Sequence, residues 1–155
     1  MNPIEITSWD EGSLSINSKI GNSNIQNSSG EVNEQKLQVL FQKAQTAYNG
    51  GRYIDALKLC EQLYTLDAFR TENLLLIGAV HFQLRNFSES IFYNQQCIRV
   101  DPSFAESYSN LGNSLKELGD LTSAIEFYNK AIKLKPRFSD AYNNLAGVYM
   151  QVNYF

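Results

Sequence analysis

The sequence repeats itself with a period of 34 residues. An apolar residue followed by a small one recurs at this interval, in the pairs Ile77-Gly78, Leu111-Gly112 and Leu145-Ala146. Pro136 likewise stands one period after Pro102. A chain with a regular period of this length folds as a row of similar units, because each unit buries its apolar face against its neighbours.

The stretch 105–138 shows what one unit contains. Its first half carries apolar and small residues at helical spacing, which predicts one buried helix face: Tyr108, Leu111, Gly112 and Leu115. Gly119 predicts the end of this helix, since glycine adopts a left-handed backbone at little cost. The second half predicts another helix with three residues on its inner face: Ala124, Tyr128 and Ala131. Pro136 cannot continue that helix, so the unit is a helical hairpin.

The same pattern divides the chain into four units: 37–70, 71–104, 105–138 and an incomplete 139–155. Hairpins of this length are typical of tetratricopeptide repeats. We therefore predict an all-α fold, a right-handed solenoid of antiparallel helix pairs. Five residues are expected to set its geometry: Gly78, Gly112, Ala124, Pro102 and Pro136. In particular, we expect Gly112 and Ala124 to meet where the two helices of their unit cross most closely.

The two ends of the chain differ from this pattern. Residues 1–30 are rich in Ser, Asn and Gly and follow no period, which predicts a disordered tail. Trp9 in this tail is assigned no role. At the other end, the fourth unit reaches Phe155 where its second helix would begin. We interpret this as an array cut short, and we expect self-association through that end.

Composition excludes several classes of partner. The formal net charge is -3 and the lysines and arginines are scattered, so no nucleic-acid-binding surface is expected. No apolar run reaches the roughly 18 residues of a membrane span, and the first residues lack the pattern of a signal peptide. The sequence therefore predicts a cytoplasmic or nuclear protein without membrane contact.

No residues suggest chemistry within this chain. Cys60 and Cys97 lie far apart on predicted inner faces, so buried reduced thiols are favoured over a disulfide or a metal site. His81, the only histidine, lies on an inner face and is interpreted as a packed residue. The sequence contains no phosphate-binding loop and no zinc motif. We predict no catalytic, metal or cofactor-binding residue.

A candidate binding groove follows from the first helices, which line the concave side of such a stack. Its predicted lining includes four amides, Asn110, Asn113, Asn143 and Asn144, and an apolar patch, Leu75, Leu76 and Phe82. An amide side chain both donates and accepts hydrogen bonds, so a row of amides can hold the backbone of an extended peptide. The alternatives are that the amides are merely solvated and that the apolar patch packs against a neighbouring helix.

The amino-acid sequence of the units also resembles that of a known family. The segment FAESYSNLGNSLKELGDLTSAIEFYNKAIKLKPRFSDAYNNLAGVY, from Phe104 to Tyr149, resembles the tetratricopeptide region of protein O-linked N-acetylglucosamine transferases and their SPINDLY-like relatives. The segment LLLIGAVHFQLRNFSESIFYNQQCI, from Leu74 to Ile98, is similar to a divergent repeat near the start of those enzymes. The resemblance covers about residues 37–155.

This resemblance implies a module that receives protein substrates and adaptors. The catalytic domain of the family, which uses UDP-N-acetylglucosamine, does not lie within this sequence, so no cofactor is implied for this chain itself. The family lines its superhelix with asparagines at position 6 of each unit, and Asn110 and Asn144 match them. Gln42 and Leu76 occupy that position in the first two units, which is a departure from the family pattern.

Two functions from different classes remain. The first is the substrate- and adaptor-binding segment of such a glycosyltransferase. The second is a stand-alone scaffold or co-chaperone-like adaptor. Chaperone-binding repeats grip a terminal carboxylate with Lys at position 5 and Asn at position 9 of the first repeat. Phe41 and Gln45 stand there in this chain, which argues against such a clamp.

Overall fold

The computed structural model describes residues 27–153, and the side chains of residues 33–152. Seven helices form this part of the chain: α1 (Asn27–Asn49), α2 (Tyr53–Leu66), α3 (Thr71–Gln83), α4 (Phe87–Val100), α5 (Ala105–Glu117), α6 (Leu121–Leu134) and α7 (Ser139–Asn153). No strand is present between residues 27 and 153. The predicted all-α class is confirmed.

The helix boundaries repeat with the period of the sequence. The helices α3, α5 and α7 begin at the first residues of the predicted units: Thr71, Ala105 and Ser139. The second helices begin 34 residues apart as well, at Tyr53, Phe87 and Leu121. Helix α1 begins earlier, at Asn27, inside the predicted tail 1–30. Residues 1–26 lie outside the described residues, so disorder there stays a prediction.

The helices stack in the order of the chain. Each helix packs against the next one, and the first helices of neighbouring hairpins also touch, as α1–α3, α3–α5 and α5–α7. Within residues 27–153, no helix contacts another that lies further along the chain than this. Contacts restricted to neighbours define a solenoid, and this chain is a tetratricopeptide-repeat solenoid.

The turn within each hairpin requires a left-handed residue at one repeated position. Gly51 and Gly119 adopt φ values of 72° and 86° there, as the glycine at 119 predicted. The second hairpin places Arg85 at the same position with φ 61°. A non-glycine residue pays a steric penalty in this region because its Cβ approaches the following carbonyl oxygen.

The prolines stand after helix ends that do not depend on them. Helices α4 and α6 end two residues before Pro102 and Pro136, at Val100 and Leu134. Helix α2 ends at the equivalent residue, Leu66, although Ala68 occupies the place of the proline. The stop is therefore shared by all three hairpins, and proline reinforces it in two of them.

In the third hairpin, the side chain that lies nearest to Gly112 is one that the sequence did not indicate. A Cβ atom added to Gly112 would lie 2.7 Å from Cε1 of Tyr128, so Tyr128 is the nearest side chain there, and the close approach of Gly112 and Ala124 stays a prediction. Tyr128 lies one helical turn beyond Ala124. Ala124 is fully buried in the same apolar cluster as Tyr128, where a larger side chain has no room.

The same crossing recurs in the other hairpins with different side chains. Gly78 faces Asn94, whose Nδ2 would lie 2.5 Å from an added Cβ. The first hairpin has Ala44 and Cys60 at these two positions, both fully buried. A glycine therefore accompanies the larger partners, Asn94 and Tyr128, whereas alanine accompanies the smaller cysteine. The two positions compensate each other in volume, as close packing requires.

Candidate binding groove

Four predicted groove residues come together between α5 and α7. Asn110, Asn113, Asn143 and Asn144 line one cavity of about 360 Å³, together with Ser109, Phe138 and Asp140. Helices α5 and α7 are the first helices of neighbouring hairpins and are in contact. The 34-residue period places Asn144 next to Asn110 in this stack.

The groove continues toward the first two hairpins. A second cavity, of about 160 Å³, shares Asn110 and Asn113 with the first and is also lined by Tyr48, Ala79, Phe82 and Gln83. The predicted residue Phe82 therefore belongs to the groove, and it packs against the ring of Phe87 with 5.6 Å between the centroids. The lining thus involves all four first helices, α1, α3, α5 and α7.

The apolar patch predicted on α3 divides between the groove and the core. Leu76 is only 8% exposed and belongs to the cluster that contains Leu37 and Phe41, so its expected place in the groove is corrected. Leu75 is partly buried. Leu76 is buried because Phe41 stands at a neighbouring groove position, and two apolar side chains there exclude water by packing together.

Several lining residues were missed by sequence reasoning. Tyr48, Gln83 and Asp140 line the cavities, and the Nε2 atom of Gln83 lies 3.5 Å from the hydroxyl of Tyr48. These residues occupy positions 12, 13 and 2 of their units, which are groove positions of the repeat. The repeat positions could therefore have predicted these three residues. Phe138 precedes helix α7, and no repeat position indicated that it lines the groove.

A hydrogen bond from the core orients one of the asparagines. The hydroxyl of Tyr128 donates to Oδ1 of Asn113 over 2.7 Å. Tyr128 is fully buried, and burial, together with Glu117, raises the pKa of its phenol. The phenol therefore stays protonated and remains a donor. With Oδ1 occupied, the amide hydrogens of Asn113 are left for a ligand.

The other three asparagines keep their amides unpaired within the described part of the chain. No hydrogen bond is formed there by the side chains of Asn110, Asn143 and Asn144, while the backbone carbonyl of Asn110 accepts from the Ser114 hydroxyl over 3.1 Å. Asn110 and Asn144 are partly buried and Asn143 is exposed. The groove therefore offers both donors and acceptors along one line.

The groove is nearly neutral. Asp140 is the one charged residue that lines either cavity. Glu106, also on α5, is paired with Lys135 at 2.6 Å. Burial raises the pKa of Glu106, but the hydrogen bond and charge of Lys135 outweigh it and leave the pKa lowered. Glu106 is therefore ionised and its charge is compensated.

The residues with potential chemistry lie elsewhere. Cys60 and Cys97 are fully buried and form no disulfide, and burial, with Glu61, raises the pKa of the Cys60 thiol to about 12. His81 is stacked on Tyr93 with 5.4 Å between ring centroids. Among the described residues, no three His, Cys, Asp or Glu side chains converge as metal ligands.

Comparison with known families identifies the repeat type. A profile described as "TPR repeat" matches residues 112–153, and profiles described as "Tetratricopeptide repeat" match residues 93–126 and 71–104. Together these matches cover α3 to α7. The repeats of this chain are therefore tetratricopeptide repeats, the class of protein that the fold and the groove define.

Two curated relatives are peptide N-acetylglucosaminyltransferases. The chain is 42% identical over 77 residues to the probable UDP-N-acetylglucosamine--peptide N-acetylglucosaminyltransferase SEC of Arabidopsis thaliana, which covers 50% of the chain and 8% of that protein. It is 41% identical over 85 residues to the corresponding enzyme of Caenorhabditis elegans, covering 55% and 7%. The matched stretch thus spans less than a tenth of the length of either relative.

Solved structures share the fold at low identity. The first TPR domain of Spaghetti (RPAP3), bound to the HSP90 peptide SRMEEVD, matches with a TM-score of 0.72 and 21% identity over 77% of this chain and 94% of that chain. An O-GlcNAc transferase of Thermobaculum terrenum matches with a TM-score of 0.73 and 22% identity over 75% and 22%. In addition, none of the helices in residues 27–153 has the length and apolarity to cross a bilayer.

Proposed function

We propose that this protein–protein interaction module binds extended protein segments along the groove lined by α1, α3, α5 and α7. The observation that carries the proposal is the convergence of Asn110, Asn113, Asn143 and Asn144 in one cavity. An extended backbone exposes N–H and C=O groups on both sides, and unpaired amides match both. Because these hydrogen bonds go to the peptide backbone, they do not depend on most side chains of the partner. Such a groove can accept many partners.

The similarity to the plant and nematode enzymes supports a more specific role. We propose that the chain serves as the substrate- and adaptor-binding repeat segment of an O-GlcNAc transferase-like glycosyltransferase. Asn110 and Asn144 fit the row of asparagines that the resemblance implies. Catalysis with UDP-N-acetylglucosamine then belongs to a separate domain, and a nucleocytoplasmic location is the corresponding proposal. A glycosyltransferase sequence encoded after Phe155 would support this role, and its absence would contradict it.

The alternative is an adaptor that grips a carboxylate terminus, as a co-chaperone does. No lysine or arginine lines either groove cavity within the described residues. Phe41, at the position where such a clamp has lysine, is only 8% exposed and lies in the core. A carboxylate in this groove would therefore lack a cationic partner, and the amide-lined groove is favoured for internal peptide segments.

A peptide-binding experiment tests the groove. We expect fluorescence anisotropy to show binding of extended Ser- and Thr-rich peptides, and the double variant Asn110→Ala, Asn144→Ala to weaken it about tenfold, since each lost hydrogen bond contributes roughly 0.5–1.5 kcal/mol. Asn129→Ala on α6 is the matched control because Asn129 is exposed and lies outside the groove. Equal affinity of the double variant and the control would contradict the proposed site.

Self-association stays a separate prediction. Helix α7 exposes four large apolar side chains by 45% to 61%: Tyr142, Tyr149, Met150 and Val152. Tyr149, Met150 and Val152 lie in the last five residues of α7, and exposed apolar side chains of this kind suit a contact between copies. We expect sedimentation velocity to show an assembly that dissociates on dilution and in the variant Met150→Asp. A monodisperse monomer at high concentration would contradict it.

A further inference from the structure

An open trough lies on the first hairpin, away from the amide-lined groove. Two cavities, of about 590 and 770 Å³, share Val39 and Lys43. Helix α2 contributes two apolar side chains, Leu59 to one cavity and Leu66 to the other. Val39 and Leu66 are 50% and 66% exposed. This surface is apolar at its floor and accessible over much of its length.

Comparison with the later hairpins shows what such a surface does elsewhere in the solenoid. Positions 3, 4 and 7 of the second and third units are at most 3% exposed: Asn73, Leu74, Ile77, Ser107, Tyr108 and Leu111. They are covered by the second helix of the preceding hairpin, since α2 packs on α3 and α4 on α5. The equivalents in the first hairpin are Val39, Leu40 and Lys43. Within residues 27–153 no preceding hairpin covers them, although Leu40 packs partly against the core of its own hairpin.

The side chains of the trough define the chemistry of its occupant. Lysines stand along its length: Lys36, Lys43 and Lys58. Lys43 occupies position 7, which is Ile77 and Leu111 in the later units. A purely apolar helix packed there would desolvate the ammonium group without compensation. The occupant should therefore combine apolar side chains with carboxylates.

We propose that residues 4–11 of the same chain occupy this trough. The segment reads IEITSWDE and supplies three large apolar side chains and three carboxylates, with no basic residue. The apolar ones are Ile4, Ile6 and Trp9, and the acidic ones are Glu5, Asp10 and Glu11. Apolar surface then meets Val39, Leu59 and Leu66, while the carboxylates meet the lysines.

The length of the connecting chain permits this contact. Residues 12–26 separate the segment from α1, and 15 extended residues span up to about 50 Å. The trough begins near Asn33, which lies six residues, or about 9 Å, along α1 from Asn27. A tether of 15 residues raises the effective concentration of the segment to the order of millimolar. Weak docking contacts are therefore sufficient.

Trp9 reports on this contact directly because it is the only tryptophan in the chain. In the full chain we expect a blue-shifted emission and protection from acrylamide, relative to a synthetic peptide of residues 1–14. The double variant Lys43→Glu, Lys58→Glu should lose both signals, and adding Glu5→Lys and Glu11→Lys should restore them. Lys133→Glu, on the exposed surface of α6, is the control that should leave both signals unchanged.

Other occupants give different results in the same measurement. If a second copy supplies the segment, protection of Trp9 falls on dilution, and the intramolecular contact is overturned. If Trp9 is quenched in the full chain as in the peptide, the segment does not dock and the proposal is overturned. Circular dichroism of each variant verifies that these exposed substitutions leave the helices intact. An excess of the 1–14 peptide should compete with the attached segment and increase quenching.

Discussion

The hydroxyl of Tyr108 donates a hydrogen bond to the backbone carbonyl of Pro102, six residues earlier, over 3.1 Å. One period later, Tyr142 donates to the carbonyl of Pro136 over 3.3 Å. In both cases the tyrosine lies in the first turn of the first helix of a hairpin, α5 or α7. The proline lies just after the second helix of the preceding hairpin, α4 or α6. The bond therefore ties one hairpin to the next at the loop that joins them.

Removing the Tyr108 hydroxyl tests how much this hydrogen bond contributes to the free energy of unfolding. Tyr108→Phe keeps the ring, which is 3% exposed and stacks on Phe127, and deletes only the donor. We expect the free energy of unfolding, measured by urea denaturation, to fall by about 0.5–1.5 kcal/mol. Tyr142→Phe is the matched comparison, with a smaller loss because Tyr142 is 47% exposed. Equal stability of wild type and Tyr108→Phe would show that water replaces the bond fully.

The crossing of α5 and α6 gives a sharper prediction. In Gly112→Ala the new methyl would collide with the Tyr128 ring at 2.7 Å, and that ring is held by its bond to Asn113. We expect a loss of about 1–3 kcal/mol in urea denaturation, as for other overpacked sites. Gly147→Ala on α7 is the control, because nothing lies within 4 Å of its added Cβ. That variant should gain about 0.5–1 kcal/mol through helix propensity.

The turn of the second hairpin can be improved. Arg85→Gly removes a non-glycine residue from φ 61°, where the steric cost is about 1–2 kcal/mol. It also loses an exposed pairing with Glu117 at 3.8 Å, which contributes little, and the contact with the Phe87 ring, as Arg85→Ala does. We expect a net gain of about 1 kcal/mol, seen as a higher urea midpoint.

Two control variants separate the backbone effect at this turn from side-chain contacts. Arg85→Ala keeps the left-handed backbone and loses the pairing with Glu117 and the contact with the Phe87 ring, so it should not gain stability. Gly119→Ala places a Cβ at φ 86° in the next turn and should lose about 1 kcal/mol. A gain in Arg85→Ala equal to that in Arg85→Gly would refute the backbone explanation.

The period made the backbone of this protein predictable. Once Leu111-Gly112 fixed the frame, the starts of α3, α5 and α7 followed, because identical hairpins repeat identical boundaries. The start of α1 did not follow. Its first ten residues precede the frame of the repeats, and within residues 27–153 no helix precedes α1 to constrain that end.

Side-chain partners were harder to predict because they depend on the contact between helices. The sequence indicated that Gly112 needs space, but the offset of the antiparallel helices decides that Tyr128 fills it. The bond from Tyr128 to Asn113 joins residues 15 apart and leaves no local signature. Leu76 stood at a groove position, yet the apolar neighbour Phe41 draws it into the core.

The protonation of His81 makes the stability of the folded chain depend on pH. His81 is 8% exposed and its Nδ1 atom has no hydrogen-bond partner in the described structure. Burial lowers the pKa of His81 from its ordinary value of 6.5, although Glu89 and Glu61 oppose the effect. Below that ordinary value, the unfolded chain binds a proton that the folded chain does not bind. The stability contributed by neutral His81 is therefore present above pH 6.5 and is lost as the pH falls through the pKa of the folded state.

Replacing the histidine should remove this dependence. His81→Phe keeps the stacking on Tyr93 and cannot bind a proton. We expect the unfolding free energy of the wild type to fall by up to about 1.4 kcal/mol per pH unit more than that of the variant as the pH falls from 6.5 toward the lowered pKa of folded His81. Urea denaturation at several pH values measures the two slopes, and an NMR titration of the His81 ring gives its pKa in the folded state. Parallel slopes, or a folded-state pKa at or above the ordinary value, would contradict the prediction, because no net proton uptake on unfolding could then be assigned to His81.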